Sequence, residues 1–419
     1  MNKASFFGLD FGTSNSTFSV CTHTKRRLLP LEGDKPTLPS VIFFHTEDAS
    51  ELYGRAAMAE YLSGTSGRLM RSLKSVLGTS LMQQETKVGE QYLVFSDIIG
   101  MFIARMKAAA EQGARQEIDR IVLGRPVHFV DDNEAADAKA QGQLEQIVHA
   151  QGFRHIEFQY EPIAAALDYE QGIEHEEIAL IIDMGGGTSD FSIIRLSPEG
   201  KKRTDRSKDI LANHGVHIGG TDFDKSLSIQ EIMPLLGYMS ALKEKNLFTP
   251  KHVFHDFATW HKINLLYTRQ TSSLLADLLA QAKHPELIER LSNVIHEHKG
   301  HEIAVIVENA KIALSEHKKH VLDLRIIEEG LALTLTRPQL HNAIEDDVAR
   351  VIAAIRQTVQ EAGIAFSQVQ TLVMTGGSTL IPLVRSQIAA LFPKATITDG
   401  DTFGSVGLGL AVDAQRKFG

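Results

Sequence analysis

The sequence holds a single cysteine, Cys21, among 419 residues, which excludes an internal disulfide. It has one tryptophan, Trp260, only 12 prolines, and no Pro-rich or low-complexity tether, so its parts should be joined by short crossings. No apolar run approaches the roughly 20 residues that a membrane-spanning helix needs. Positive charge is in deficit: 43 Lys and Arg against 52 Asp and Glu leave a formal net charge of −9, a poor match to a nucleic-acid backbone. The N-terminus, Met1-Asn2-Lys3-Ala4-Ser5, leads into a strand pattern instead of a signal peptide. These absences predict a cytoplasmic monomer with neither nucleic acid nor membrane as partner. What is present is ordinary globular composition, 43% apolar and 23% charged, in a chain long enough for two or more cores.

An internal echo organises the chain. Asp10-Phe11-Gly12-Thr13-Ser14-Asn15-Ser16-Thr17-Phe18-Ser19-Val20 aligns without a gap with Asp183-Met184-Gly185-Gly186-Gly187-Thr188-Ser189-Asp190-Phe191-Ser192-Ile193. Apolar runs precede both copies and strand-forming residues follow them, so each reads as a β-hairpin with a small-residue turn. Glycine at such turns removes the Cβ and lets backbone N–H groups line a concavity for an anion such as phosphate. A carboxylate beside such a cradle can hold Mg²⁺ through its waters, which makes Asp10 and Asp183 a matched pair. Either hairpin alone reads equally well as a glycine-rich turn with a turn Asp; two copies in register favour the phosphate reading.

Three further motifs accompany the hairpins. In Tyr160-Glu161-Pro162-Ile163-Ala164-Ala165-Ala166, Glu161 ends a strand and Pro162 opens a helix, fixing a carboxylate on a rigid corner where it can orient water. In Leu372 to Pro382 a strand enters the Gly376-Gly377 turn, with Ser378 or Thr379 placed to cap the next helix. Glu308, Lys311, Ile312 and Ser315 share one helical face, either as a nucleoside grip or as a solvated Glu–Lys pair. Strands at Arg120 to Leu123 and Ile156 to Tyr160 alternate with helices at Ser96 to Glu111 and Asp137 to Gln151, an α/β pattern. The stretch from Lys225 to Val307 reads as a helical insertion. Its histidines, including His252, His255, His261, His296, His298 and His301, lack a ligand spacing with a supporting acid. The run from Lys201 to Arg206 reads as a solvated loop, and Cys21 as a small buried filler.

Asp10-x-Gly12-Thr13, Glu161-Pro162, Asp183-x-Gly185-Gly186-Gly187-Thr188, Gly219-Gly220-Thr221-Asp222-Phe223-Asp224 and Gly376-Gly377-Ser378-Thr379 together resemble, in order and spacing, the ATPase domain of DnaK-type seventy-kilodalton heat-shock chaperones. The resemblance runs from Phe6 to about Ala411 and is closest to the short YegD-like group that consists of this domain alone. It implies the actin-like ATPase fold, an α/β architecture of two lobes with ribonuclease-H-like cores. Lobe I would span 1–172, with 37–116 peripheral. Lobe II would span 173–404, with a largely helical peripheral part at 225–344, and 405–419 would form a helix returning to lobe I.

The resemblance also implies site residues. ATP or ADP with Mg²⁺, and K⁺ as a companion ion, would be the cofactors. Asp10, Asp183 and Asp190 would organise the metal and its waters. Gly12, Thr13, Ser14, Asn15, Gly185, Gly186, Gly187 and Thr188 would surround the phosphates. Glu161 would place the attacking water, and Lys74 would reach the γ-phosphate. Gly219, Gly220, Thr221, Glu308, Lys311, Ile312, Ser315, Gly376, Gly377, Ser378 and Leu380 would surround ribose and adenine. The sequence departs from the family pattern at Leu380, where an arginine commonly stacks on adenine, and at Ile312, which is also apolar. Val130 to Glu134 lacks the arginine that, with a proline like Pro126, relays nucleotide state, and the acidic-leucine linker is also missing. The expected activity is slow ATP hydrolysis or an ATP-driven switch, with a protein client or co-chaperone on the second-lobe insertion. Alternatives are a nucleotide sensor with negligible hydrolysis, an ATP-dependent filament protein, or a small-molecule kinase.

Overall fold

Apolar residues flank both Asp-x-Gly turns on each side, so each turn can be closed only by pairing those flanks as buried strands. The computed structural model describes residues 4–23, 25–48, 50–88, 91–130, 133–200, 203, 206–399 and 404–419. Ser5–Asp10 pairs antiparallel with Asn15–Thr22, and Glu177–Met184 with Ser189–Leu196. Asp10 lies opposite Thr17 and Asp183 opposite Asp190, so the gapless echo in sequence is one register used twice.

Each hairpin seeds a sheet of the same plan. The first runs, edge to edge, Arg26–Leu28, Asn15–Thr22, Ser5–Asp10, Arg120–Arg125 and His155–Tyr160, with Thr37–Pro39 also paired to Asn15–Thr22. The second runs Ile210–Val216, Ser189–Leu196, Glu177–Met184, Thr371–Thr375 and Thr396–Asp399. In both, three antiparallel strands are followed by two parallel ones. The predicted strands and helices are present with bounds shifted by a few residues: Arg120–Arg125, His155–Tyr160, Phe95–Ala114 and Glu134–Ala150. One strand ends at Tyr160, so Glu161 is the first residue of its helix and not the last of the strand.

By packing, the chain divides into two compact units, one of residues 1–219, 350–380 and 384–419, the other of 220–349 and 381–383. The first unit contains both sheets, and the predicted lobe boundary at 172/173 falls inside it. Between Glu161–Glu170 and the C-terminal helix Ser405–Phe418 the backbones nearly touch: a Cβ on Gly409 would lie 1.7 Å from the Ala164 carbonyl oxygen. Ala164, Ala165, Ala166, Leu410 and Ala411 are buried in the same core with Val122, Ile181 and Val373.

The second unit is mainly helical, with Gly220–Leu227, Lys251–Phe257, Arg269–Gln281, Pro285–His296 and Gly300–Glu316 followed by the hairpin Lys319–Asp323 and Ala332–Thr336. That agrees with the helical pattern from Lys225 to Val307. Phe254, Phe257, Ile263 and Leu291 are fully buried there. Among its histidines, His301 packs edge-on to Trp260 at 4.7 Å and His298 stacks on Tyr267 at 4.1 Å. Cys21 is buried, as expected of a filler, with its thiol pushed up by burial. Residues 131 and 132 of the Val130 to Glu134 stretch, and 201, 202, 204 and 205 of the basic run, lie outside the described residues. Arg206, expected in a solvated loop, is instead buried in ion pairs with Glu170 and Asp209. Among the described residues no helix is long and apolar enough to cross a membrane.

Candidate functional site

The first unit brings the two hairpin turns together, and small residues make this possible. A Cβ on Gly186 would lie 2.0 Å from Ser14 Oγ, and one on Gly187 would lie 3.1 Å from Thr13 Oγ1. Gly219 abuts the same turn, since its Cβ would fall 2.5 Å from Gly186 backbone atoms. Gly376, at φ +81°, faces the Met184 carbonyl oxygen, which a Cβ would approach to 2.3 Å. The left-handed conformation and the close approach both require glycine. The turns are fixed from behind. Gly12 N–H donates to Ser16 Oγ at 3.2 Å, Ser40 Oγ donates to the Gly12 carbonyl at 2.7 Å, and Gly185 N–H donates to the Thr188 carbonyl at 2.9 Å. Gly12, Thr13, Ser14, Asn15, Gly185, Gly186, Gly187 and Thr188 thus belong to two abutting turns.

Acidic side chains gather at these turns around one ammonium. Lys74, on the short 3₁₀ turn Leu73–Val76, forms a buried ion pair with Glu161. Ser72, just before that turn, holds φ +58°, a strained value for a non-glycine residue beside the site. Burial, then the charge of Glu161, pushes the Asp10 carboxyl up to about 7 against the pull of Lys74. Burial and Glu161 likewise raise Asp190 to about 7, against a hydrogen bond from Val127 N–H at 2.9 Å and one from Thr188. Asp183 is held well above the usual carboxylate range by burial, then by Glu161, Asp190 and Asp10. Burial pulls Lys74 down, but Glu161 and Asp10 outweigh it and its pKa is raised.

Four carboxyl groups with one cation are a negative site that low dielectric disfavours. A divalent cation would relieve it, and Asp10 and Asp183 supply the one or two carboxylates that a mostly hydrated Mg²⁺ takes. Among the described residues no group of three or more His, Cys, Asp or Glu side chains could hold a metal ion directly. Asp10 and Asp183, buried and raised by burial and by neighbouring carboxylates, fit a hydrated ion of this kind.

The remaining predicted site residues divide between the units. Ser378 Oγ donates to the Gly185 carbonyl at 3.0 Å, tying the Gly376-Gly377 turn to the second hairpin. Thr379 Oγ1 donates to the Gly376 carbonyl at 2.7 Å. Leu380 is half exposed. In the second unit Gly220 and Thr221 open the helix Gly220–Leu227. Lys311 is buried and donates to the Gly220 carbonyl at 2.8 Å beside Asp224 at 2.8 Å, which excludes the solvated-pair reading. Glu308 is half-buried, Ile312 is exposed, and Ser315 Oγ donates to the Lys311 carbonyl at 3.0 Å.

One residue with a clear place was not foreseen. Arg125 is buried, its guanidinium lying 5.2 Å from the Phe129 ring and 5.1 Å from the Tyr160 ring. It donates to the Pro126 and Val127 carbonyls, both at 3.0 Å, and to Asp137 at 2.7 Å. It thereby holds the turn whose Val127 N–H reaches Asp190, and flanks the residue before Glu161. The only advance signal was a charged residue that follows the apolar run Ile121 to Leu123 within a strand.

Duplicated sheets of this order, each opening on an acidic hairpin, define the class of actin-like ATPase folds. The family model described as Hsp70 protein matches residues 6–233 and 275–417, and the chain belongs to the Hsp70 family. Among curated proteins it is 26% identical to "Chaperone protein DnaK" of Buchnera aphidicola subsp. Schizaphis graminum (strain Sg), over 97% of this chain and 58% of that protein. It is 25% identical to "Chaperone protein HscA homolog" of Pasteurella multocida (strain Pm70), over 98% of this chain and 57% of that one. A "Chaperone protein HscA homolog" of Shewanella putrefaciens (strain CN-32 / ATCC BAA-453) is 27% identical, over 98% and 58% respectively. The chain thus spans little more than half the length of these relatives.

Proposed function

We propose that the chain binds ATP with Mg²⁺ at the abutting hairpin turns and hydrolyses it slowly as a chaperone-type ATPase domain. The observation that carries this reading is the meeting of the two turns, with Asp10, Asp183, Asp190 and Glu161 gathered about Lys74. In this reading Asp10 and Asp183 hold the ion through its waters, and Thr13, Ser14, Gly186, Gly187 and Thr188 line the phosphates. When bound, Mg²⁺ neutralises phosphate charge. Lys74 adds a fixed positive charge, and Glu161, held by Lys74, orients a water as acceptor of its hydrogen bond. Catalysis of phosphoryl transfer is mainly positioning and charge neutralisation, so fixed groups suffice. Asp10→Asn or Lys74→Ala should lower single-turnover phosphate release by about 100-fold or more with the circular-dichroism spectrum retained. Variants that release phosphate at the parent rate would reject the assignment.

A second reading is a nucleotide sensor with negligible hydrolysis. It is favoured by the buried Lys74–Glu161 ion pair, which engages the carboxylate that hydrolysis would need to hold a water. Calorimetric titration with Mg·ATP and Mg·ADP beside single-turnover release separates the two: tight binding without release supports the sensor.

A further inference from the structure

The helix that begins at Glu161 ends in a second buried ion network. Glu170, its last residue, is 0% exposed. One carboxylate oxygen accepts from Arg206 Nη2 at 2.7 Å and from Ser197 N–H at 3.2 Å. The other accepts from Arg206 Nη1 and from Arg416 Nη2, the latter at 3.4 Å. Arg206 also donates to Asp209 at 2.6 Å and to the Gly200 carbonyl at 3.1 Å. The loop closes so tightly that a Cβ on Gly200 would lie 2.6 Å from Glu170 Oε1.

This arrangement opposes two physical preferences. A carboxylate at a helix C-terminus faces the negative end of the macrodipole. A fully buried carboxylate also gives up its hydration, which its partners only partly offset. Three arginine donors and one backbone N–H are recruited from elements distant in sequence to hold it. Burial pulls Arg206 towards neutrality, and Glu170 and Asp209 outweigh that pull. Between its ends the helix cannot slide, because Ala164 sits against Gly409 with no room for a methyl group. Ten residues at about 1.5 Å each make a rod of about 15 Å, with Lys74–Glu161 at one end and Arg206–Glu170–Arg416 at the other.

We propose that Glu170, clamped by Arg206 and Arg416, is a positioning residue that sets the placement of Glu161 at the opposite end of their shared helix. A close-packed interior transmits a shift at one end of a short rod to the other, and small displacements of a water-orienting group lower rate more than affinity. The inference rests on the proposed role of Glu161 in ATP hydrolysis, and its test is chosen so that the two can fail separately.

In the full chain, Glu170→Gln should lower single-turnover phosphate release roughly tenfold while the calorimetric Kd for Mg·ADP stays within about twofold. In the Glu161→Gln background the same change should cause no further loss. An unchanged rate, a parallel loss of affinity, or an equal additional loss beside Glu161→Gln overturns the proposal. Should Glu170→Gln not fold, Arg416→Gln should show the same split at smaller size, with Arg416→Lys restoring the rate; absence of that split overturns it equally. Should the parent itself release no phosphate, the functional reading fails and hydrogen exchange decides the positioning alone. Amides of residues 158–166 should then exchange several-fold faster in Glu170→Gln, with those of Pro285–His296 unchanged, and equal exchange at 158–166 overturns the inference.

Discussion

Asp10 shows how a single side chain can weaken the protein in order to serve a ligand. Its carboxyl is pushed from an ordinary 3.8 to about 7, mainly by burial and then by Glu161. Between those values the folded state keeps a proton that the unfolded state has released, so rising pH removes stability, and the loss is complete above about 7. Asp10→Asn carries no such charge. Its melting temperature without nucleotide should exceed the parent's at pH 8, and the difference should shrink towards pH 5; scanning calorimetry across that range checks it. A constant or reversed difference would mean that Asp10 is not held against its own ionisation. Using the difference between the two proteins cancels the histidines whose pKa burial lowers, such as His261 and His298.

The acidic pair itself was legible at this scale, because a gapless echo demands the same register, and Asp10 opposite Thr17 and Asp183 opposite Asp190 repeat it. Arg125, Glu170 and Arg206 were not legible. Their roles depend on partners that no local period marks, such as Tyr160 beside Arg125 and Arg416 beside Glu170.

Among the elements, helix packing is set by where a methyl group is absent. Gly409 lies within Ser405–Phe418, where alanine would normally stabilise a helix by up to about 1 kcal/mol over glycine. Here the added Cβ would meet the Ala164 carbonyl at 1.7 Å, so Gly409→Ala must separate two packed helices. Overpacking of this kind costs roughly 1–3 kcal/mol, and the net effect should be destabilising. Gly142, inside Glu134–Ala150, has nothing within 4 Å of its would-be Cβ, and Gly142→Ala should stabilise by about 0.5–1 kcal/mol. Opposite signs in urea melts of the two variants check the assignment; a shared sign would reject it. The sequence showed the alanine face from Ala164 to Ala166 as fit for close packing, but not its partner. That partner is supplied by a helix more than 200 residues away, through tertiary geometry that helical periodicity does not encode.

At the scale of the whole molecule, the helical insertion was visible as a change of pattern, yet the family model passes over residues 234–274 within it. That stretch contributes to the core of the second unit, with Val253, Phe254, Phe257 and Ile263 almost wholly buried there. It also contains the only tryptophan, Trp260, packed on His301 of the same unit. Two compact units need not unfold together, and one tryptophan makes the question measurable. Phe254→Ala removes a fully buried ring and should destabilise its unit by about 3–5 kcal/mol. Tryptophan fluorescence, which reports the second unit alone, should then lose its transition at lower urea. Far-UV circular dichroism, which reports both units, should become biphasic, with its later phase at the parent midpoint because both sheets belong to the first unit. A single transition shifted equally in both signals would show that the sheets depend on the insertion for their stability and that the two units fold as one.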